Sequence, residues 1–198
     1  MKWFMDGYLS LKDGESFDVG GATWNACQNI AFWHHYVNGR EDSQGNGSIM
    51  RFAPSYLLAQ KEGDPAKVMH EISDLTHNSG KVHEVVDRLA KILGEHISGN
   101  RMVEVSAYTT WAAVNNSDWA VSSLDVVLWA FNTTESFEEG LIAAVNLGGD
   151  SDSIVAVFGQ IAEAYYGFDA IPDRWVKTVK TWRKVDELIE GFLDALGS

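Results

Sequence analysis

Apolar residues recur at helical spacing in segment after segment of this chain, and no segment shows several consecutive strands with hairpin turns. Val82, Val85, Val86, Leu89, Ile92 and Leu93 fall on one helical face, closed by Gly94. Ile154, Val157, Phe158, Ile161 and Tyr165 form a second face, on a helix expected to begin around Ser153 and end at Gly167. Val185, Leu188, Ile189, Phe192, Leu193 and Leu196 form a third. Asp64-Pro65 reads as an N-cap and first helical residue ahead of Val68, Met69, Ile72 and Leu75. Ser136 and Glu139 form a capping box before a helix that stops at Gly148-Gly149. Val19 and residues 102–105 are too short to found a sheet, and only three prolines interrupt 198 residues. The chain is therefore expected to be all-α. Its length suits one domain, residues 1–198, around one core.

Composition narrows the function classes. The hydrophobic fraction is 45%, enough to fill a core, so global disorder is not expected. Formal net charge is −13, which repels phosphate backbones and anionic membranes, so neither nucleic acid nor membrane is an expected partner. An anionic nucleotide would need local compensation from metal cations, helix N-termini or a few placed basic groups. Cys27 is the only cysteine, so neither an intrachain disulfide nor a thiolate cluster can form. With no signal-like N-terminus and no apolar run of spanning length, a cytoplasmic setting is expected.

Four segments carry candidate chemistry. In Gly148-Gly149-Asp150-Ser151-Asp152-Ser153, two glycines end one helix and two carboxylates open the next. Carboxylates and a hydroxyl at this spacing suit a hard cation, and they equally suit helix capping. Gly45-Asn46-Gly47-Ser48 reads either as a backbone cradle for an anion or as a surface turn before a helix. Asp18, in Phe17-Asp18-Val19-Gly20, is either the N-cap of a helix from Thr23 onward or an acceptor for a ribose hydroxyl. His77 either touches a substrate phosphate or ribose, or favours the C-terminal dipole of the helix before it. His34-His35 is expected in an amphipathic helix, and Trp24, Trp33, Trp111, Trp119 and Trp129 are expected in the core.

Taken in order, these segments resemble the ADP-ribosylglycohydrolase family. The resemblance is carried by Asp6-Gly7-Tyr8-Leu9-Ser10, Phe17-Asp18-Val19-Gly20, residues 45–54 (GNGSIMRFAP), Thr76-His77, and the long stretch 134–175 that contains NLGGDSDSIVAVFGQIAEAYYG. It implies an orthogonal all-α helical bundle that hydrolyses the N- or O-glycosidic bond of an ADP-ribosylated substrate with magnesium. It implies metal ligation by Asp150, Asp152 and Ser153, with Ser153 standing where the family has threonine. Asp18 would lie beside the ribose and join Asp150 and Asp152 in the catalytic set. Gly45, Asn46, Gly47 and Ser48 would hold the diphosphate and neighbouring ribose, and His77 would line the cleft. One or two Mg2+ ions are the implied cofactor, with Mn2+ as a substitute.

The departures bear on function. The family's N-terminal acidic helix and Thr-Asp-Asp-Thr motif, which supply the other metal ligands, have no counterpart here, so the bundle is expected to be N-terminally truncated. Glu41-Asp42 is an acidic pair near a candidate loop, but it lacks flanking threonines. Asp118, Trp119 and Ser122 stand where the family has Gly, Tyr and Asp. Three outcomes stay open. The chain is a hydrolase whose missing ligands come from a second chain or a second copy, an impaired module that binds ADP-ribose, a nucleotide or a protein, or a product without present activity.

Overall fold

Among the described residues, three helices begin at a side-chain cap. The computed structural model describes residues 19–61, 63–101, 110, 117–181 and 185–197. Helix α1 spans Gly21–Trp33, and a 3-10 turn at Asn46–Arg51 runs directly into α2, Phe52–Ala59. Then come α3, Pro65–Asp74; α4, Gly80–Ile97; α5, Ala120–Thr133; α6, Phe137–Asn146; and α7, Ser151–Tyr166. A 3-10 turn at Phe168–Ala170, α8 at Asp173–Lys180 and α9 at Val185–Leu196 complete the described elements. Asp64 caps α3 through the Lys67 N–H, with Pro65 in the first turn as expected. Ser136 caps α6 through the Glu139 N–H, and the Glu139 carboxylate accepts from the Glu135 N–H in return.

Helix α7 is the centre of the bundle. It packs on α4, α5, α6 and the Asn46–Arg51 turn. Its Ile154, Val157, Phe158 and Ile161 are fully buried, as the periodicity requires. Gln160 ties α7 to the start of α2: its Oε1 accepts the N–H groups of Phe52 at 2.9 Å and Ala53 at 2.7 Å, and its Nε2 donates to the Ile49 carbonyl at 3.0 Å. The first N–H groups of a helix have no partner within it, so this distant amide supplies one. No strand forms among the described residues, and the sole pairing outside a helix is an isolated bridge between Gly45 and Trp119. The all-α bundle is as expected. No helix among the described residues is long and apolar enough to cross a membrane.

Three expectations are corrected. Gly94 does not end its helix; α4 continues to Ile97. The Tyr56 hydroxyl stands 2.7 Å from where a Cβ on Gly94 would be, so the glycine serves a close approach. His34 lies outside α1, at its C-cap, in a left-handed conformation with φ 54°, and the turn closes through N–H bonds from His34 and His35 to the Ile30 and Asn29 carbonyls. The tryptophans divide. Trp129 is buried, while Trp24 is 46%, Trp119 56% and Trp33 70% exposed. Within helix α1 only Ala26 and Cys27 are buried. Trp111 lies outside the described residues.

The glycines of α6 and α7 give opposite expectations. A Cβ on Gly140 would stand 2.4 Å from Phe158 Cζ, whereas one on Gly159 meets nothing within 4 Å. Gly140→Ala is expected to destabilise by about 1–3 kcal/mol through overpacking. Gly159→Ala is expected to stabilise by up to about 1 kcal/mol through helix propensity. Urea unfolding of both variants checks this, and stabilisation by Gly140→Ala would contradict the packing described.

Candidate functional site

The turn between α6 and α7 requires its glycines. Gly148 has φ 71° and Gly149 φ 64°, a consecutive left-handed pair that side-chain-bearing residues adopt only with strain. Asp150 then occupies the N-cap position of α7, yet its carboxylate makes no cap hydrogen bond. Instead, Oδ2 accepts from Asn46 Nδ2 at 2.6 Å. Of the two readings the turn left open, capping is thus not what the Asp150 side chain does. Asp152 follows, exposed in the first turn of α7, and Ser153 is buried beside it.

Asn46 joins the glycine loop to this turn. Its Nδ2 donates to both Asp150 and Ser123 Oγ, the latter at 2.9 Å, using both amide hydrogens. Its backbone N–H donates to the Asp118 carbonyl at 2.8 Å, and the Ala120 N–H donates to the Gln44 carbonyl at 2.9 Å. The 117–120 segment is thereby stapled along the loop, with the Gly45–Trp119 bridge between. Asn46 is buried, and so is Ser48, whose hydroxyl accepts from Ser73 Oγ at 3.0 Å. The Ser48 side chain is thus occupied behind the loop.

His77 closes the other side. It is 4% exposed, and its ring lies against the two loop glycines: Nε2 is 3.5 Å from a Cβ placed on Gly45 and 3.2 Å from one on Gly47. Its Nδ1 meets Thr76 Oγ1 at 2.7 Å. Thr76 Oγ1 also accepts from Arg51 Nη2 at 2.6 Å, and Arg51 donates to the carbonyls of Gly47 at 3.2 Å and Ile72 at 3.1 Å. Burial, followed by the nearby Arg51 charge, lowers the His77 pKa to about 4. A neutral ring has no charge to offer a helix C-terminus, so the dipole reading of His77 does not hold. Burial also lowers the Arg51 pKa from the ordinary guanidinium value.

Of the sequence-derived site residues, His77 lies against Gly45 and Gly47, and Asn46 is hydrogen-bonded to Asp150. Asp18 lies outside the described residues. The Glu41-Asp42 pair is engaged elsewhere: Glu41 accepts from the Gly80 N–H at the start of α4, and Asp42 pairs with Arg40. Arg51, Thr76 and Ser123 were not singled out as site residues. Arg51 and Thr76 sit within or beside the motifs quoted, whereas nothing in the local pattern around Ser123 marks it. Asp150, Asp152 and Ser153 offer two carboxylates and a hydroxyl, the oxygen type magnesium takes, and magnesium is often held by one or two carboxylates with waters completing the shell. They fit one ion. Among the described residues no group of three or more His, Cys, Asp or Glu side chains converges to hold a metal.

The chain belongs to the ADP-ribosylglycohydrolase family, whose model matches residues 1–198. Among individual relatives, it is 27% identical to the ADP-ribosylarginine hydrolase Tri1 of Pseudomonas putida, over 98% of this chain and 58% of that protein. It is 30% identical to the ADP-ribosyl-[dinitrogen reductase] glycohydrolase of Rhodospirillum rubrum, over 79% of this chain and 57% of that protein. A solved structure described as an ADP-ribosylglycohydrolase-related protein complex superposes with a TM-score of 0.74 at 31% identity, covering 89% of this chain and 68% of that one. The chain thus spans less than three fifths of the length of these two curated relatives.

The His77 environment has a measurable signature. With a folded pKa of about 4 against an ordinary 6.5, the unfolded chain binds a proton that the folded chain refuses between those values. His77 therefore contributes full stability above about pH 6.5 and loses it as pH falls towards about 4, by up to about 3 kcal/mol. Urea unfolding between those pH values is expected to show a shallower loss in His77→Gln than in the unsubstituted protein. Equal slopes would contradict this placement of the ring.

Proposed function

We propose that this chain is the loop-and-turn part of a magnesium-assisted ADP-ribosyl hydrolase acting on ADP-ribosylated side chains. The observation that carries the reading is the Asn46–Asp150 hydrogen bond, which leaves the N-cap carboxylate unspent on its helix and joined to the glycine loop. Family membership and the names of the relatives support the substrate class.

In this reading the Gly45-Asn46-Gly47-Ser48 loop lines the diphosphate side of the cleft through the N–H groups of Gly45, Gly47 and Ser48, the Asn46 N–H being committed to Asp118. Asp150, Asp152 and Ser153 would hold magnesium, which would orient the ribose hydroxyls and offset charge as the anomeric bond breaks. Asn46 orients the Asp150 carboxylate, and Ser123 orients Asn46. Asp18 is the proposed carboxylate beside the ribose, where it would take a proton from the attacking water. Hydrolysis places the water's hydroxyl on the anomeric carbon and its proton on the departing side chain. The remaining oxygen donors of a two-ion site would come from a second chain or a second copy.

A second reading is that the chain binds ADP-ribose without turnover. It is favoured by the absence, among the described residues, of a third acidic, His or Cys side chain converging with Asp150 and Asp152.

The test is release of ADP-ribose from ADP-ribosylated arginine and serine peptides with magnesium, alongside calorimetric titration of ADP-ribose. Asp150→Ala and Asp152→Ala are each expected to lower turnover by more than about a hundredfold, beyond the 10–100-fold typical of a lost supporting partner. Turnover unchanged in Asp150→Ala overturns the metal reading. Binding without turnover in the unsubstituted chain selects the second reading.

A further inference from the structure

We propose that Arg51 and Thr76 act as positioning residues that fix the tautomer of His77, so that its Nε2 carries the proton and faces the glycine loop as an uncharged donor to the anionic part of a nucleotide diphosphate. The ligand half of this proposal rests on the ADP-ribose reading above; the tautomer half does not.

Thr76 is 1% exposed, and its hydroxyl has one hydrogen to give. Arg51 Nη2 can only donate, so at 2.6 Å it takes an acceptor position on Thr76 Oγ1. The hydroxyl hydrogen then has two destinations: the Ser73 carbonyl at 3.5 Å, or His77 Nδ1 at 2.7 Å. Only the second is an ordinary O–H hydrogen-bond distance. A proton on Nδ1 instead would leave the buried hydroxyl hydrogen without a partner at bonding distance. It would also aim an N–H dipole at an oxygen already held by a cation. Nδ1 is therefore the acceptor, and in a neutral ring the proton sits on Nε2.

Nε2 is the atom that faces the site. It lies between the Gly45 and Gly47 positions, and among the described residues it has no hydrogen-bond partner. Arg51 has no carboxylate partner among the described residues either; its acceptors are the Gly47 and Ile72 carbonyls and the Thr76 hydroxyl. The guanidinium thus holds the loop carbonyl inward and sets the imidazole in one chain of contacts. In a chain of net charge −13, it also places a positive charge beneath the loop proposed to meet an anion. Burial and the same guanidinium keep the ring neutral.

The test uses the full chain labelled with 15N-histidine. Two-bond 1H–15N correlation at neutral pH reads the imidazole tautomers, with His77→Gln assigning the signal. His77 is expected to show a protonated Nε2 and a bare Nδ1. Thr76→Ser should keep that pattern and hold ADP-ribose affinity within about twofold, whereas Thr76→Val should lose the single tautomer and weaken ADP-ribose by about tenfold. Arg51→Lys, which keeps a donor and the charge, should keep the tautomer, whereas Arg51→Met, which removes both, should lose it; an unchanged tautomer in folded Arg51→Met overturns the proposal should Thr76→Val not fold. An Nδ1–H or cationic His77 at neutral pH overturns the proposal, as does an unchanged tautomer in folded Thr76→Val. A protonated Nε2 in a chain that binds no ADP-ribose overturns the nucleotide reading while leaving the relay standing.

Discussion

The contact between Asn46 and Asp150 is what makes one site of two distant segments. The glycine loop and the α6–α7 turn are 104 residues apart in the chain, and a 2.6 Å hydrogen bond to a carboxylate joins them. Such charge-assisted bonds are shorter and stronger than neutral ones. The bond depends on features at both ends. Consecutive left-handed glycines bring Asp150 to the start of α7, and the Asp118 carbonyl and Ser123 hydroxyl hold Asn46 beneath it. Gln160 anchors the same loop from further along α7, by receiving the first N–H groups of α2.

Charge is distributed unevenly around this joint. Acidic oxygen sits on the α7 side at Asp150 and Asp152, while the loop side has the half-buried Arg51 guanidinium hydrogen-bonded to neutral acceptors among the described residues. His77 lies on the loop side, against Gly45 and Gly47, where burial and the Arg51 charge lower its pKa to about 4. A cation on one side and an anionic ligand on the other would each meet the charge that suits it. Such a division is the local compensation that an acidic chain would need in order to meet an anionic ligand.

Much of the fold was legible in the sequence because helix periodicity and capping are local. The Asp64 and Ser136 caps, the buried stripe of α7 and the helix from Val185 stand where their spacing put them. Gly94 misled because a glycine that stops a helix and one that admits a Tyr56 hydroxyl look alike in one dimension. The exposed Trp24 and Trp33 misled because whether an apolar helix finds a core is decided by its neighbours. At the site, the loop and turn were visible as motifs, but Ser123 and the Thr76–Arg51 contact were not. Their roles exist only through partners far away in sequence, and no periodicity encodes that.

The joint itself can be measured by a double-mutant cycle on unfolding free energy, using Asn46→Ala, Asp150→Ala and the combined variant. Residues in direct hydrogen-bonded contact couple, whereas independent sites add to within about 0.5 kcal/mol. A coupling energy of about 1–3 kcal/mol is the result this account requires, in keeping with hydrogen bonds to charged groups. Additive losses would mean that the loop and the turn fold as separate features, and the single cleft described here would not exist.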